Sequence, residues 1–229
     1  MSMSFRTRTW IVLAGSATLV TSSATVAAAA DEPPPPPEST TEEAPPAWPP
    51  ADTNGEWLPV PDELFTADAP VAACGTTVTI RSGDVFEVEY QALELADGTI
   101  RVEYRGDSTT DLVRESDGAT VDELDTSGPW TEIYSPDGVT ATFSVDGASI
   151  YFAYDEVEAA AFAAEGLPDL FYFETGTITE RVVFPQDPAA TTIVSAEILT
   201  DTARGVRDVC DMLDDAAGES ADGDDGHSH

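Results

Sequence analysis

Val139-Thr140-Ala141-Thr142-Phe143-Ser144-Val145-Asp146-Gly147-Ala148-Ser149-Ile150-Tyr151-Phe152-Ala153-Tyr154 is the stretch on which the architecture turns. From Val139 to Val145 apolar residues alternate with threonine and serine, the period-two pattern of a strand with one buried face. The Asp146-Gly147 pair then predicts a two-residue type I′ turn, because Asp and Gly both tolerate positive φ. In that register Val145 faces Ala148, Phe143 faces Ile150, Ala141 faces Phe152 and Val139 faces Tyr154. Every pair is apolar, and Thr140, Thr142 and Ser144 fall on the other face.

The same punctuation recurs at Asp97-Gly98, Asp117-Gly118 and Asp137-Gly138, each between strand-like runs. A two-residue turn at Asp97-Gly98 sets Leu95 opposite Ile100 and Leu93 opposite Val102, with Glu94 opposite Arg101 outside. Phe86, Val88 and Tyr90 are then out of phase, so a β-bulge near Gln91-Ala92 is expected to restore one buried face. The Asp117-Gly118 flanks alternate less regularly.

Asp155-Glu156-Val157-Glu158 is a capping box that opens a helix through Ala159 to Glu165, stopped by Gly166 and Pro168. A second helix is expected from Asp201 or Thr202, with Val206, Val209, Cys210 and Leu213 on one stripe. Leu170 to Phe173, Ile178 to Phe184 and Thr191 to Leu199 read as strands. About ten short strands joined by tight turns predict a mainly β fold. The expected form is an antiparallel meander making a curled sheet or barrel, with one short helix inserted and a C-terminal helix.

Outward from this region the composition changes. Arg6 and Arg8, the apolar run Trp10 to Val20, and Ala28-Ala29-Ala30 before Asp31 form the three parts of a secretory signal, so residues 1–30 are expected to be removed and the remainder secreted. The apolar run is shorter than the roughly 20 residues of a membrane span, and Ser16 stands where a lipidated cysteine would be. Residues 31–72 hold the Pro33 to Pro37 run and further prolines among acidic residues, the composition of an extended, disordered spacer. Trp57-Leu58 and Leu64-Phe65 are the segments within it suited to docking on the folded domain, assigned to residues 73–213. Residues 214–229 are acidic, glycine-rich and expected to be disordered.

The formal net charge is −35. All 44 acidic residues follow Ala30, and loss of Arg6 and Arg8 takes −35 to −37. No lysine occurs. A field of this sign repels nucleic acid and anionic lipid. Export places Cys74 and Cys210 in an oxidising compartment, where a pair at the two ends of a domain is expected to form a disulfide. Closing a loop of about 135 residues contributes roughly 4 to 5 kcal/mol by loss of unfolded-chain entropy.

The only histidines are His227 and His229, so histidine-dependent triads and histidine-ligated zinc or haem are excluded from residues 73–213. No catalytic, cofactor or metal residue is assigned. Asp222 to His229 lacks the spacing of a calcium loop. Glu87, Glu89 and Glu103 alternate to the solvent side. Phe143, Tyr151, Phe152, Tyr154, Phe162, Phe171, Tyr172, Phe173 and Phe184 are read mainly as core, with an apolar cavity under the Asp155–Glu165 helix as the alternative. Three functional readings follow. The first is a non-catalytic interaction or envelope-associated domain, with a cell-wall or protein partner, on an acidic spacer. The second is a carrier of an apolar small molecule. The third is a hydrolase using paired carboxylates.

Ala73-Cys74-Gly75, Asp97-Gly98-Thr99, Arg105-Gly106, Ser127-Gly128-Pro129, Pro136-Asp137-Gly138, Gly166-Leu167-Pro168 and Asp208-Val209-Cys210 occur in an order that resembles a diffuse group of exported actinobacterial proteins of uncharacterised function. The resemblance spans residues 73 to 213 and implies export, a β-rich domain and a disulfide. It brings no activity and no site residues.

Overall fold

The computed structural model describes residues 52–61, 68–186, 190 and 192–222. The signal segment, the Pro33 to Pro37 run, Leu64-Phe65 and the histidines of the tail lie outside them. The fold is mainly β, with antiparallel pairing between strands throughout. A seven-stranded sheet contains β1 (Leu58–Pro59), β4 (Glu89–Glu94), β5 (Ile100–Arg105), β8 (Trp130–Tyr134), β9 (Thr140–Asp146), β12 (Thr177–Val183) and β13 (Ser195–Asp201), in that order. A four-stranded sheet orders β2 (Ala69–Ala73), β3 (Thr76–Phe86), β6 (Ser108–Arg114) and β7 (Thr120–Asp125). A three-stranded sheet joins β10 (Ser149–Phe152), β11 (Leu170–Phe173) and β14 (Arg207–Asp208). None of the sheets closes, so no barrel forms. The chain lays down hairpins alternately, β2–β3 and β6–β7 in one sheet, β4–β5, β8–β9 and β12–β13 in another.

The three-stranded sheet is the middle layer. All four residues of β11 are buried, and alternation sends them to opposite sides. Leu170 and Tyr172 pack with Val71, Val78, Ile80 and Leu112 of the four-stranded sheet. Phe171 and Phe173 pack with Val145 and Ile178 of the seven-stranded sheet. A continuous apolar run without polar alternation is the signature of a strand covered on both faces. Helix α1 (Glu156–Ala164) covers one side through Phe162, and α2 (Val209–Asp222) covers the other through Val209, Met212 and Leu213.

The hairpin expected at Asp146-Gly147 does not form. β9 pairs with β8 on one edge and β12 on the other, while β10 pairs with β11. A strand has two edges, and both edges of β9 are taken. The predicted burial of Ala141, Phe143, Val145 and Ile150 is nevertheless observed, because alternation fixes the face and not the neighbour. The chain changes sheets at Gly147 through a tight crossing: Gly128 N–H donates to Ala148 O at 2.8 Å, and Gly147 N–H donates to Gly176 O at 3.0 Å. A Cβ on Gly128 would stand 1.9 Å from Asp146 O, so only glycine permits this approach.

The other three Asp-Gly pairs do form hairpins, with longer loops than two residues. Asp97, Asp117 and Asp137 each accept a backbone N–H two residues on, and the following glycines have positive φ. At Asp97-Gly98 the bonds from Leu95 N–H to Thr99 O and from Gly98 N–H to Leu95 O enclose a three-residue loop. The register therefore shifts by one from the expected pairing. Tyr90 faces Tyr104, Ala92 faces Val102, Leu93 faces Arg101 and Glu94 faces Ile100. Val88, Tyr90 and Ala92 are buried in one uninterrupted phase, so no bulge at Gln91-Ala92 is needed, and Leu95 is exposed. The two-residue hairpin occurs instead at Cys74-Gly75, where both φ values are positive and Ala73 pairs with Thr76.

The folded region also begins and ends beyond the expected 73–213. Leu58 pairs with Tyr90, Val60 is buried, and the Arg105 guanidinium lies 4.0 Å from the Trp57 ring centroid, so Trp57-Leu58 does dock. Residues 69–72 belong to β2, within the segment read as disordered spacer. The second helix starts at Val209 rather than near Asp201, because Asp208 caps it by accepting from Cys210 N–H at 2.7 Å. Asp201 instead ends β13, leaving Val206 exposed and outside the helix. The helix continues to Asp222, through the first part of the segment read as disordered tail. Among the described residues no helix is long and apolar enough to cross a membrane.

Two anchors hold α2. The Cys74–Cys210 disulfide ties its first turn to the β2–β3 hairpin across a separation of 136 residues. Arg114, at the end of β6, forks to Asp117 at 2.9 and 2.7 Å and reaches Asp214 of the helix. The hydrogen bonds from Arg114 hold the Asp117 carboxyl below its ordinary range. At α1 the predicted cap forms, with the return bond made one residue before it: Asp155 accepts from Val157 and Glu158 N–H, and Glu158 accepts from Tyr154 N–H. The second oxygen of Asp155 accepts from Ile193 N–H at 2.7 Å, binding the β12–β13 connection to the helix start.

Replacing both cysteines by alanine is expected to lower the unfolding free energy by up to about 5 kcal/mol, measured by urea denaturation against the oxidised parent. Asp155→Ala is expected to cost about 1 to 2 kcal/mol in the same assay, since a cap and a loop anchor are lost together.

Candidate functional site

The most informative residues of the seven-stranded sheet lie in one row. Glu132 faces Phe143 across β8–β9, and Phe143 faces Glu180 across β9–β12. Directly opposed residues share a face, so two carboxylates and the phenyl ring between them point into the interior. Two strand spacings put the glutamate backbones roughly 10 Å apart. Both acids are buried, Glu180 completely. Burying a carboxylate among apolar groups is costly unless donors compensate, and each has one close at hand. Tyr134 Oη donates to Glu132 Oε2 at 2.7 Å, with Trp130 Nε1 donating to Oε1 at 3.3 Å. Tyr151 Oη donates to Glu180 Oε2 at 2.7 Å.

Beside this row, where β3 and β6, β8 and β9, and β10 converge, lies a cavity of about 180 Å³. Its apolar walls are Phe143, Trp130, Ile150, Tyr151 and Phe152, and its polar side carries the hydroxyls of Ser108, Thr110 and Thr126. Glu132 is a wall residue. Tyr104 stacks on Trp130 at 4.0 Å between centroids and 13° between planes, which fixes the indole. Tyr151 is held from behind by Phe162 and Phe171, at 5.5 and 6.1 Å between centroids.

Of the aromatics read from sequence, Phe143, Tyr151, Phe152 and Tyr154 line this cavity, while Phe162, Phe171 and Phe173 fill the core. The cavity is not under the Asp155–Glu165 helix, because Phe162 occupies that space. It lies instead between the sheets. Glu89 and Glu103 are on the outer face, paired with Arg105 and Arg101. Reading the sequence missed Glu132 and Glu180, although both carried a signal. Each is a glutamate in the apolar phase of a strand, in Trp130-Thr131-Glu132-Ile133-Tyr134 and Ile178-Thr179-Glu180-Arg181-Val182. Ile133 masked the first by supplying an apolar residue on the solvent side, where it is exposed.

The pair does not form a shared reactive cleft. Glu132 lines the cavity, whereas Glu180 is fully buried and bonded to the back of the Tyr151 wall. Hydrolysis by two carboxylates requires both to reach one bond. Among the described residues no group of three or more His, Cys, Asp or Glu side chains is placed to hold a metal ion.

The chain matches no protein-family model, no curated protein and no solved structure. Fold and site therefore speak for themselves: a disulfide-closed, three-layer β domain with an amphipathic cavity between its sheets.

Tyr151→Phe removes a donor to the fully buried Glu180 side chain. It is expected to lower stability by about 1 to 3 kcal/mol at neutral pH, read from the shift in denaturation midpoint.

Proposed function

We propose that this is an exported binding domain that takes up a small, largely apolar molecule in the cavity between its sheets. The observation that carries the reading is the cavity itself, walled by fixed aromatic rings and provided with a few orienting polar groups. Its volume exceeds the roughly 150 Å³ that suffices for a benzene-sized guest, so a single-ring ligand fits. The Cys74–Cys210 disulfide is compatible with the export suggested by the first thirty residues. In this reading the acidic, proline-rich segment is a spacer.

Docking through an exposed face has less support. Among the described residues the exposed large apolar side chains are Val85, Leu95, Ile133, Tyr154, Val194, Leu199 and Val206, which include one aromatic. A protein-binding patch draws on clustered aromatics, and these residues are spread over separate strands and loops.

Titration with indole, followed by amide chemical shifts, is expected to give saturable changes centred on β8, β9 and β10. Thr110→Phe, which fills the cavity from the four-stranded sheet, is expected to abolish them while the thermal midpoint stays within a few degrees. Shifts confined to outer faces, or no saturation, would count against the reading.

A further inference from the structure

We propose that Asn54-Gly55 is a site of spontaneous covalent modification, in which cyclisation to a succinimide converts Asn54 to isoaspartate or aspartate when the strap of residues 52–60 lifts from β4. Isoaspartate leaves the strap unable to rebuild its turn, so the change runs one way.

Three observations place the site. Asn54 is the only asparagine in the chain and glycine follows it, so no side chain shields the attacking backbone nitrogen. Both residues are exposed to water. They form the corners of a turn in which Glu56 N–H donates to Thr53 O at 3.1 Å, with φ values of 53° and 81°, the type I′ form. Asn54 N–H also donates to Asp52 Oδ1 at 2.7 Å.

The closed turn holds the reaction back. In a type I′ turn the first corner residue has ψ of roughly +30°, which sets the next nitrogen nearly opposite Cβ across the Cα–C bond. A five-membered ring needs that nitrogen and Cγ on the same side. The turn is fixed on the edge of the seven-stranded sheet: Thr53 N–H donates to Ala92 O at 2.9 Å, Ala92 N–H donates to Thr53 Oγ1 at 3.2 Å, and Gln91 Nε2 donates to Gly55 O. Further along, Trp57 lies against Arg105, Leu58 pairs with Tyr90, and Val60 N–H donates to Val88 O at 2.9 Å. Cyclisation therefore waits on local opening of this short edge segment.

The chemistry balances with water alone. Gly55 N, deprotonated by hydroxide, attacks Asn54 Cγ, and the new C–N bond displaces the side-chain nitrogen, which regains the proton and leaves as ammonia. One water then opens the imide. Cleavage at Cγ gives aspartate; cleavage at the Asn54 carbonyl carbon gives isoaspartate, with the main chain routed through Cβ and Cγ. No electrons are transferred. Either product sets a carboxylate between Asp52 and Glu56 in a chain already at −35. Isoaspartate also lengthens the backbone by a methylene, and loop length selects the turn type, so the Thr53–Glu56 turn no longer closes.

The test is ageing of the intact chain in warm, mildly alkaline buffer, with residue 54 followed by peptide mass mapping and isoaspartyl methyltransferase labelling. The guanidinium-unfolded chain is expected to gain isoaspartate at residue 54, and the folded parent to do so at least about tenfold more slowly. Trp57→Ala loosens the strap without altering either reacting residue, and should convert at least about threefold faster than the folded parent. The isoaspartate form, separated by ion exchange, should lose hydrogen-exchange protection at Thr53 and Val60 while amides of β8 and β9 keep theirs. Equal rates in folded and unfolded chains, no conversion of the unfolded chain, a Trp57→Ala rate equal to the parent's, or full protection in the isoaspartate form would each overturn the inference. If Trp57→Ala does not fold, the ratio of the parent's two rates and the exchange measurement decide the matter.

Discussion

A sheet of three short strands covered on both faces governs this molecule. Leu170, Phe171, Tyr172 and Phe173 have no solvent side, so two separate layers must be supplied to cover them. Fully burying such side chains is worth about 1.5 to 3 kcal/mol each, and that gain is available only when both neighbouring sheets are in place. The rest of the architecture follows from this need. The seven-stranded sheet and α1 close one side, and the four-stranded sheet and α2 close the other. The disulfide and the Arg114 clasp both act on α2.

The cavity is a by-product of the same arrangement. β10 leaves β9 at Gly147 to join the middle layer, and residues of all three sheets line the space beside it. Aromatic rings fill part of it, and the acid at Glu132 and the hydroxyls of β6 meet the remainder. The result is a polar edge in an apolar interior.

Much of the local structure could be read from particular residues. Ala141, Phe143 and Val145 are buried as their alternation requires, the Asp155–Glu158 capping box opens a helix, and Cys74 bonds to Cys210. Pairing was harder to read. Asp97-Gly98 and Asp146-Gly147 are the same dipeptide, yet one closes a hairpin and the other marks a change of sheet. The difference lies outside both: Thr177 Oγ1 engages the Asp146 carboxylate, Gly128 provides the close approach, and Gly176 O accepts from Gly147 N–H. The site was legible only as an anomaly, two glutamates in apolar phase, since nothing local says that Phe143 would stand between them.

The sequence by itself determined which face of β9 turns inward, where α1 begins, and that two cysteines close the domain. These depend on side-chain period, on backbone N–H groups within a few residues, and on thiol chemistry, all short-range causes. Tertiary structure alone decided which strands are neighbours, that the middle sheet is covered twice, and that Glu132 and Glu180 share a row. Those outcomes depend on competition among strand edges for hydrogen bonds and among apolar faces for cover. Such a competition is settled by the whole chain at once.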